Sequence, residues 1–413
     1  MDQLMFTIYT PLLLFYSRNG EDSTDTMDDE YHYQETDNIS KCLKSSLSKT
    51  LTLYFQFAGR VKDHASIECN DDGAVYVKAL VECPMSHAIK QPNAEVLKNF
   101  LPVDSKSSEA STGALLLVQA NFFQCGGMAI GLCMTHKISD AATLSTFVTS
   151  WAAAAIKSCE DMVSPRFDFA SLLPPIDSSS MPTPFDWIRG KFITRRYVFN
   201  ASKIALLKCK ATNESMHQPS RVQAVTALIW KCAMAASRSN YGITRLSVLV
   251  QTINLRKRCV PPLPENSMGN LIGFSIAEAE DTEISLQLLV DKIKKGFQDI
   301  SQIVAKGFQN EEMMSLIYEF AEALKNVIRS DDTDMYMCSS WCKFPLYEAD
   351  FGWGKPKWVC ISALAASVNT LVIVDTIHGD GIEAWLSLCE EDMDVLERDQ
   401  EFLEFATLNP NVY

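Results

Sequence analysis

The sequence predicts a mixed α/β protein built as two domains, and three observations carry that expectation. Its 413 residues, 47% hydrophobic and 21% charged, can bury a large core, and a chain of this length favours two domains over one or three. Short apolar runs of strand length alternate with longer stripes at helical spacing in both halves of the chain. Between the halves, Ser164 to Gly190 contains five prolines and a triple serine with little periodicity, the composition of a crossover. The expected division is residues 1–163, a linker over residues 164–193, and residues 194–413.

The elements follow in order. The apolar stretch Leu4 to Tyr16 is interrupted by Pro11 and is too short to span a bilayer. Met1-Asp2-Gln3 carries no positive charge and no small-residue cleavage site follows, so no targeting segment is expected. Gly20 to Asn38 holds eight acidic and no basic side chains and reads as a solvated loop. From Asn38 a helix is expected, with Leu43, Leu47, Leu51 and Tyr54 on one face, ending before Gly59. Short apolar runs between turn residues then suggest strands as far as Leu101. Gly127 to Thr135 contains only Gly, Met, Ala, Ile, Leu, Cys and Thr, the composition of a strand buried on both faces. Leu144, Phe147, Val148, Trp151 and Ala155 recur at helical spacing, so a helix begins near Asp140.

The second half repeats the mixture. Ser220 caps a helix expected to run through Arg238, Leu246, Val248 and Val250 alternate as a strand, and Leu286, Val290, Ile293, Phe297 and Ile300 form a helical stripe. Trp358 to Leu364, Asn369 to Thr376 and Ile382 to Leu388 read as three consecutive strands before a final acidic helix.

A formal net charge of −14 disfavours nucleic acid or an anionic membrane as partner, because both would repel such a surface. A small or neutral ligand fits better. The 13 cysteines are odd in number and lack a repeated spacing, and the closest pair, Cys338 and Cys342, is not a zinc-type Cys-x-x-Cys. Reduced thiols in a cytoplasmic protein, with no metal site, are the expectation.

The stretch Cys133-Met-Thr-His-Lys-Ile-Ser-Asp140 puts a histidine and an aspartate four apart where the buried strand gives way to a polar turn. Such a pair arises by chance in roughly one chain of this kind in three, so spacing alone does not separate a catalytic imidazole from a core histidine. Placement adds weight: an imidazole at a strand end facing a domain junction can be oriented by backbone and still meet a substrate. The heptapeptide Asp350-Phe-Gly-Trp-Gly-Lys-Pro356 is far less common, its two glycines allowing close approach or positive φ around the tryptophan. Asp-Phe-Gly here is no kinase signature, since no His-Arg-Asp loop or Gly-x-Gly-x-x-Gly precedes it. A cysteine nucleophile is the rival chemistry. Cys125 and Cys133 are both close to His136 in sequence, but Cys133 has the opposite strand parity, so Cys133 and His136 should point to different faces. His378 sits in a turn-like His-Gly-Asp-Gly, and His32, His64, His87 and His217 have no supporting neighbours.

His136-Lys-Ile-Ser-Asp140, Asn254-Leu-Arg256, Asn266-Ser-Met-Gly-Asn270 and the Asp350 heptapeptide, with Ala58-Gly59-Arg60 and Cys69-Asn70-Asp71, resemble the plant BAHD acyltransferases over essentially the whole chain. The resemblance implies two chloramphenicol-acetyltransferase-like domains of mixed sheet and helices with an active-site channel between them. It implies His136 at mid-channel as general base and direct acyl transfer, with acyl-CoA, acetyl-CoA above all, as co-substrate and no permanently bound cofactor. The acceptor would be a hydroxyl of a plant alkaloid or terpenoid. Transfer of a longer or aromatic acyl group to a sugar or amine, and a non-catalytic binding role, are the competing readings.

The resemblance implies that Asp140 pairs with Arg256 rather than polarising His136, and its place at a helix N-terminus agrees. Asp350, the aspartate found beside the histidine in descriptions of such enzymes, is expected to act in support, together with Gly352, Trp353 and Gly354. Ser220 and Arg221, opening a helix, are the candidate contacts for coenzyme phosphate. Similar proteins carry roughly thirty residues, including a strand, before the counterpart of Asp2-Gln3, so a late start is expected here. The protein is expected to be monomeric.

Overall fold

A computed structural model describes residues 2–5, 7–18, 29–63, 66–157, 162–167, 191–212, 218–280, 284–305, 332–361 and 368–412. In the first half, β1 (Tyr9–Tyr16) leads to α1 (Asp29–Leu53), then β2 (Arg60–Val61), β3 (Ile67–Glu68) and β4 (Val75–Val81). Two short helices follow, α2 (Met85–Ile89) and α3 (Ala94–Leu97), then β5 (Leu116–Phe123), β6 (Met128–Thr135) and α4 (Ala141–Ala155). The second half runs β7 (Phe192–Phe199), α5 (Ala201–Lys210), α6 (Arg221–Tyr241), β8 (Leu246–Asn254), β9 (Ile272–Ala279), α7 (Leu286–Ala305) and β10 (Thr333–Ser340). It closes with β11 (Trp358–Cys360), β12 (Asn369–Asp375), β13 (Ile382–Cys389), α8 (Glu390–Leu396), α9 (Gln400–Phe405) and β14 (Thr407–Leu408).

Two sheets organise these elements, in the orders β11-β1-β6-β5-β4 and β14-β7-β13-β12-β10-β8-β9. In the first, every residue of β1, β5 and β6 is buried, which accounts for their near-continuous apolar sequences. Helices α1 and α4 pack together beside this sheet, tied by the Trp151 indole donating to the Leu43 carbonyl and the Ser46 hydroxyl at 3.3 and 3.0 Å. In the second sheet, β10 lies parallel to both β8 and β12, while the remaining neighbours are antiparallel. Helix α6 forms because Ser220 and Gln223 close a capping box at its start and Gly242, at φ +71°, ends it in the left-handed region.

The structure departs from the sequence reading in four places. Helix α1 starts at Asp29, inside the acidic stretch expected to be a loop; Thr36 and Ser40 are buried within it, and Asp37 pairs with Lys41 one turn on at 2.7 Å. Residues 20–28 of that stretch lie outside the described residues. Strand β1 passes through Pro11, which lies opposite Cys133 of β6, while the described pairing with β11 covers Leu13 to Phe15. Beyond Val81 the expected strands are helical turns instead, begun at Pro84 and at Asn93, whose side chain accepts from Glu95 N.

The fourth departure concerns domain membership. Strand β11 belongs to the first sheet, paired with β1, although it was grouped with two strands of the second half. With it, Trp341, Leu346, Ala349, Phe351 and Trp358 enter the first hydrophobic core. Residues 168–190 of the crossover and 362–367 after β11 lie outside the described residues.

A buried polar knot fastens this crossing segment. Glu383 on β13 accepts from the indoles of Trp358 and Trp385 at 3.2 and 2.9 Å and pairs with Arg196 on β7 at 2.7 Å. Burying that carboxylate is tolerable because two indole donors and a guanidinium share it.

Candidate active site at the domain junction

The end of β6 sets the position of His136. The strand finishes at Thr135, His136 N donates to Ile8 O at 2.9 Å, and the Ser139 hydroxyl donates back to the Thr135 carbonyl, closing the turn into α4. Asp140 then caps the helix, its extended backbone letting Oδ1 accept from Thr143 N at 2.8 Å. His136 is thereby held between a fully buried strand and a capped helix.

Asp140 makes its strongest contacts across the junction. Its two oxygens take Arg256 Nη1 and Nη2 at 2.7 and 3.1 Å, and Oδ2 also accepts from Leu271 N at 3.1 Å. Arg256 and Asp140 are 0% and 4% exposed, so the pair is desolvated and depends on complete hydrogen bonding. That requirement is met: Arg256 Nε donates to Ser267 O at 3.0 Å, and Nη2 reaches Ser267 O, Gly269 O and Thr143 Oγ1 between 2.8 and 3.2 Å. The expected pairing of Asp140 with Arg256 is present, and no bond joins Asp140 to the imidazole.

The partner of His136 is Asn270, supplied by the loop 266–271. Gly269, at φ +110°, turns that loop so that its carbonyl meets Arg256 and Asn270 faces the histidine. Asn270 Oδ1 lies 3.0 Å from His136 Nδ1, while Asn270 Nδ2 donates to the His136 carbonyl and to Asp2 Oδ1, each at 2.8 Å. Because both amide hydrogens are used, the atom facing the ring is an acceptor, which requires Nδ1 to carry the proton. The lone pair is then on Nε2, for which the described residues supply no hydrogen-bond partner.

The second motif lies elsewhere. Asp350 Oδ1 accepts from Gly352 N and Gly354 N at 2.7 and 3.0 Å, closing a turn in which those glycines adopt φ of +103° and +93°. Phe351 is buried edge-on against Trp151 with ring centroids 4.8 Å apart, and Trp353 stacks on Phe351. Trp151 is eleven residues beyond Asp140 on α4, about 16 Å along the helix at 1.5 Å per residue. The motif thus packs at the opposite end of α4 from His136.

Ser220 and Arg221 open α6, with Ser220 engaged in the capping box. Arg221 pairs with Asp375 at 3.0 Å and donates to the carbonyls of Gly379 and Gly381 at 2.6 and 3.3 Å. Asp375 ends β12 at the same end of the sheet at which β8 delivers Arg256. His378 lies in the turn between β12 and β13, His87 lies on α2, and the side chains of His32, His64 and His217 fall outside the described residues.

Cys133 is fully buried, its thiol pushed up to about 12 mainly by burial, and Cys125 is buried as well. Neither offers an accessible thiolate. Among the described residues twelve cysteines are free thiols, and no group of His, Cys, Asp and Glu is arranged to hold a metal. No helix among them is long and apolar enough to cross a membrane.

Two α/β units that meet around one histidine, with a buried ion pair and a neutral amide locking the junction, define a two-domain transferase architecture. Comparison gives this a family. A model of the Transferase family matches residues 1–403. Akuammiline synthase 1 of Alstonia scholaris is 38% identical over 411 residues, spanning 98% of this chain and 92% of that protein. Limonoid 7-O-acetyltransferase of Citrus sinensis is 35% identical over 432 residues, spanning 99% and 93%. The crystal structure of vinorine synthase superposes with a TM-score of 0.82 at 30% identity, covering 100% of this chain and 93% of that one. The chain belongs to the Transferase family of BAHD acyltransferases, as its motifs implied, and it is an acyltransferase.

Asn270 and Asp2 were missed as site residues by sequence reasoning. Asn270 lies inside the Asn266 to Asn270 motif and Asp2 in the Asp2-Gln3 pair that matches the family, and neither motif points to a role for them.

Proposed function

We propose that the protein transfers an acyl group, acetyl in the first instance, from acyl-CoA to a hydroxyl of an alkaloid or terpenoid, with His136 as general base in a ternary complex. The observation that carries this reading is the His136–Asn270 hydrogen bond, which leaves the Nε2 lone pair free at the domain junction. An alcohol is too weak an acid to ionise at neutral pH, whereas an ordinary imidazole, with a pKa of about 6.5, is mostly unprotonated there. Nε2 takes the hydroxyl proton as the oxygen attacks the thioester carbonyl. The tetrahedral intermediate then collapses, the C–S bond breaks, and the departing thiolate takes the proton from the imidazolium. Products are the ester and free coenzyme A, and no acyl-enzyme forms.

The junction supplies held geometry, in a channel that admits coenzyme and acceptor from its two sides. Asp140 and Arg256 hold the two domains in register around the base. Asp350, Gly352, Trp353 and Gly354 support the first core from the far end of α4. For the coenzyme, Ser220 and Arg221 stand at the sheet end that carries Arg256, and a phosphate there would share Arg221 with Asp375. The enzyme acts as a cytoplasmic monomer in this reading. Acetyl transfer to oxygen is supported by the limonoid 7-O-acetyltransferase among its relatives.

The test is to incubate purified protein with several acyl-CoAs and a panel of alkaloid and terpenoid alcohols, detecting acylated products by mass. Acetylated product from the wild type, intersecting double-reciprocal lines and a rate loss of roughly a hundredfold or more in His136→Ala are expected. Parallel lines with an acyl adduct trapped on Cys133 or Cys125 would overturn the mechanism.

A further inference from the structure

We infer that Asp2 is a positioning residue for His136, acting through Asn270 to set which imidazole nitrogen carries the proton. The inference rests on His136 being the general base and concerns how that base is kept in its active tautomer.

Asn270 is completely buried, and four of its contacts are spoken for. Its backbone N and its Nδ2 both donate to one oxygen of Asp2, each at 2.8 Å, so the carboxylate grips the residue at two points. Nδ2 gives its other hydrogen to the His136 carbonyl at 2.8 Å, and Oδ1 faces His136 Nδ1 at 3.0 Å. An asparagine amide is nearly symmetric in shape, so only its partners decide which way it faces. Turning it over would set Oδ1 against the Asp2 carboxylate and the His136 carbonyl at once, three acceptors with no hydrogen between them.

Asp2 supplies the charged half of that penalty, and hydrogen bonds to a charged acceptor are about twice as strong as neutral ones. Remove it, and only the His136 carbonyl resists the turn. A turned amide presents NH2 to Nδ1, which then must be the unprotonated nitrogen, leaving Nε2 protonated and unable to accept from an alcohol. Burial leaves the Asp2 carboxyl raised on balance, although the two bonds from Asn270 pull it down.

The chain of contacts joins distant parts of the sequence. Asp2 touches Asn270 across 268 positions and Asn270 touches His136 across 134, so Asp2 orients the base through a loop of the second sheet's domain. Asp140 raises the Asp2 carboxyl through space but is bonded to Arg256, which separates the two carboxylates into different roles.

The experiment compares the wild type with Asp2→Leu, similar in volume but without an acceptor, and Asp2→Asn, which retains an acceptor oxygen. Nitrogen-15 NMR of histidine-labelled protein, with the His136 signal assigned by its loss in His136→Gln, reads the tautomer. The wild type is expected to show Nδ1–H at His136. Asp2→Leu is expected to gain the Nε2–H form and to lose at least about tenfold in kcat with little change in KM, within the loss of about 10⁴ known for a wrongly tautomerised catalytic histidine. Asp2→Asn should recover most of kcat. An Nε2–H tautomer in the wild type overturns the inference whether or not Asp2→Leu folds. So does a folded Asp2→Leu with normal kcat and an unchanged tautomer, and in that case a dead His136→Ala leaves the general-base reading standing. An active His136→Ala overturns that reading itself.

Discussion

The two ends of helix α4 carry the two motif aspartates, and they are built differently. At the N-terminal end, Asp140 reaches out of its own domain to a fully buried arginine, and the turn before it presents His136 to Asn270. Near the C-terminal end, Asp350 binds only the backbone of its own loop while Phe351 plugs the surface beside Trp151. One end fixes a domain junction around His136. The other seals a core. Two motif aspartates can therefore sit in different settings, one bridging the domain junction beside His136 and the other closing a turn against a core.

The sharpest way to break the contrast is at Asp140. Asp140→Ala strands a buried guanidinium and removes a helix cap, so a loss of about 3–5 kcal/mol of stability is expected, seen as a lower melting temperature and soluble yield. Arg256→Met added to Asp140→Ala should recover part of that loss by removing the unpaired charge. Unchanged stability with lost turnover would move Asp140 into the chemistry.

At the other end, effects should be smaller and confined to folding. Asp350→Ala releases two backbone donors in a partly exposed turn, an expected cost of about 1–3 kcal/mol. Gly352→Ala forces a side chain into φ +103°, with a cost on the order of 1–3 kcal/mol. In both variants turnover per folded molecule should stay close to wild type, measured by calorimetry beside steady-state rates.

The smallest effect concerns the thiols. Iodoacetamide near neutral pH should label the exposed Cys42, Cys69 and Cys209 and spare Cys133, whose thiol burial holds near 12, until the protein unfolds. Peptide mass mapping alongside activity checks this; labelling of Cys133 in the native enzyme would reopen the nucleophile reading.

Much of this was readable in the chain because it rests on short-range physics. The apolar run ending at Thr135 announces β6, Asp140 caps the helix whose stripe begins at Leu144, and Ser220 with Gln223 is a capping box written in four residues. The pairing of Asp140 with Arg256 was legible only through family resemblance, since the partners are 116 positions apart. Asn270 and Asp2 were illegible because an asparagine has no periodicity and its partner choice depends on how two domains close. Strand β11 was misgrouped for a similar reason: three apolar residues look alike in either sheet, and only the Trp358–Glu383 contact and pairing with β1 decide where they go. Strand β1 went unread because Pro11, a residue that interrupts most strands, lies inside it.

The most direct test of the account measures turnover per folded molecule in His136→Ala and Asp350→Ala side by side, with the folded fraction of each fixed by calorimetry. The account predicts a loss of roughly a hundredfold or more for His136→Ala at an unchanged melting temperature, and near-normal turnover with a lowered melting temperature for Asp350→Ala. Equal losses of turnover in the two variants, or near-normal turnover in a well-folded His136→Ala, would contradict it.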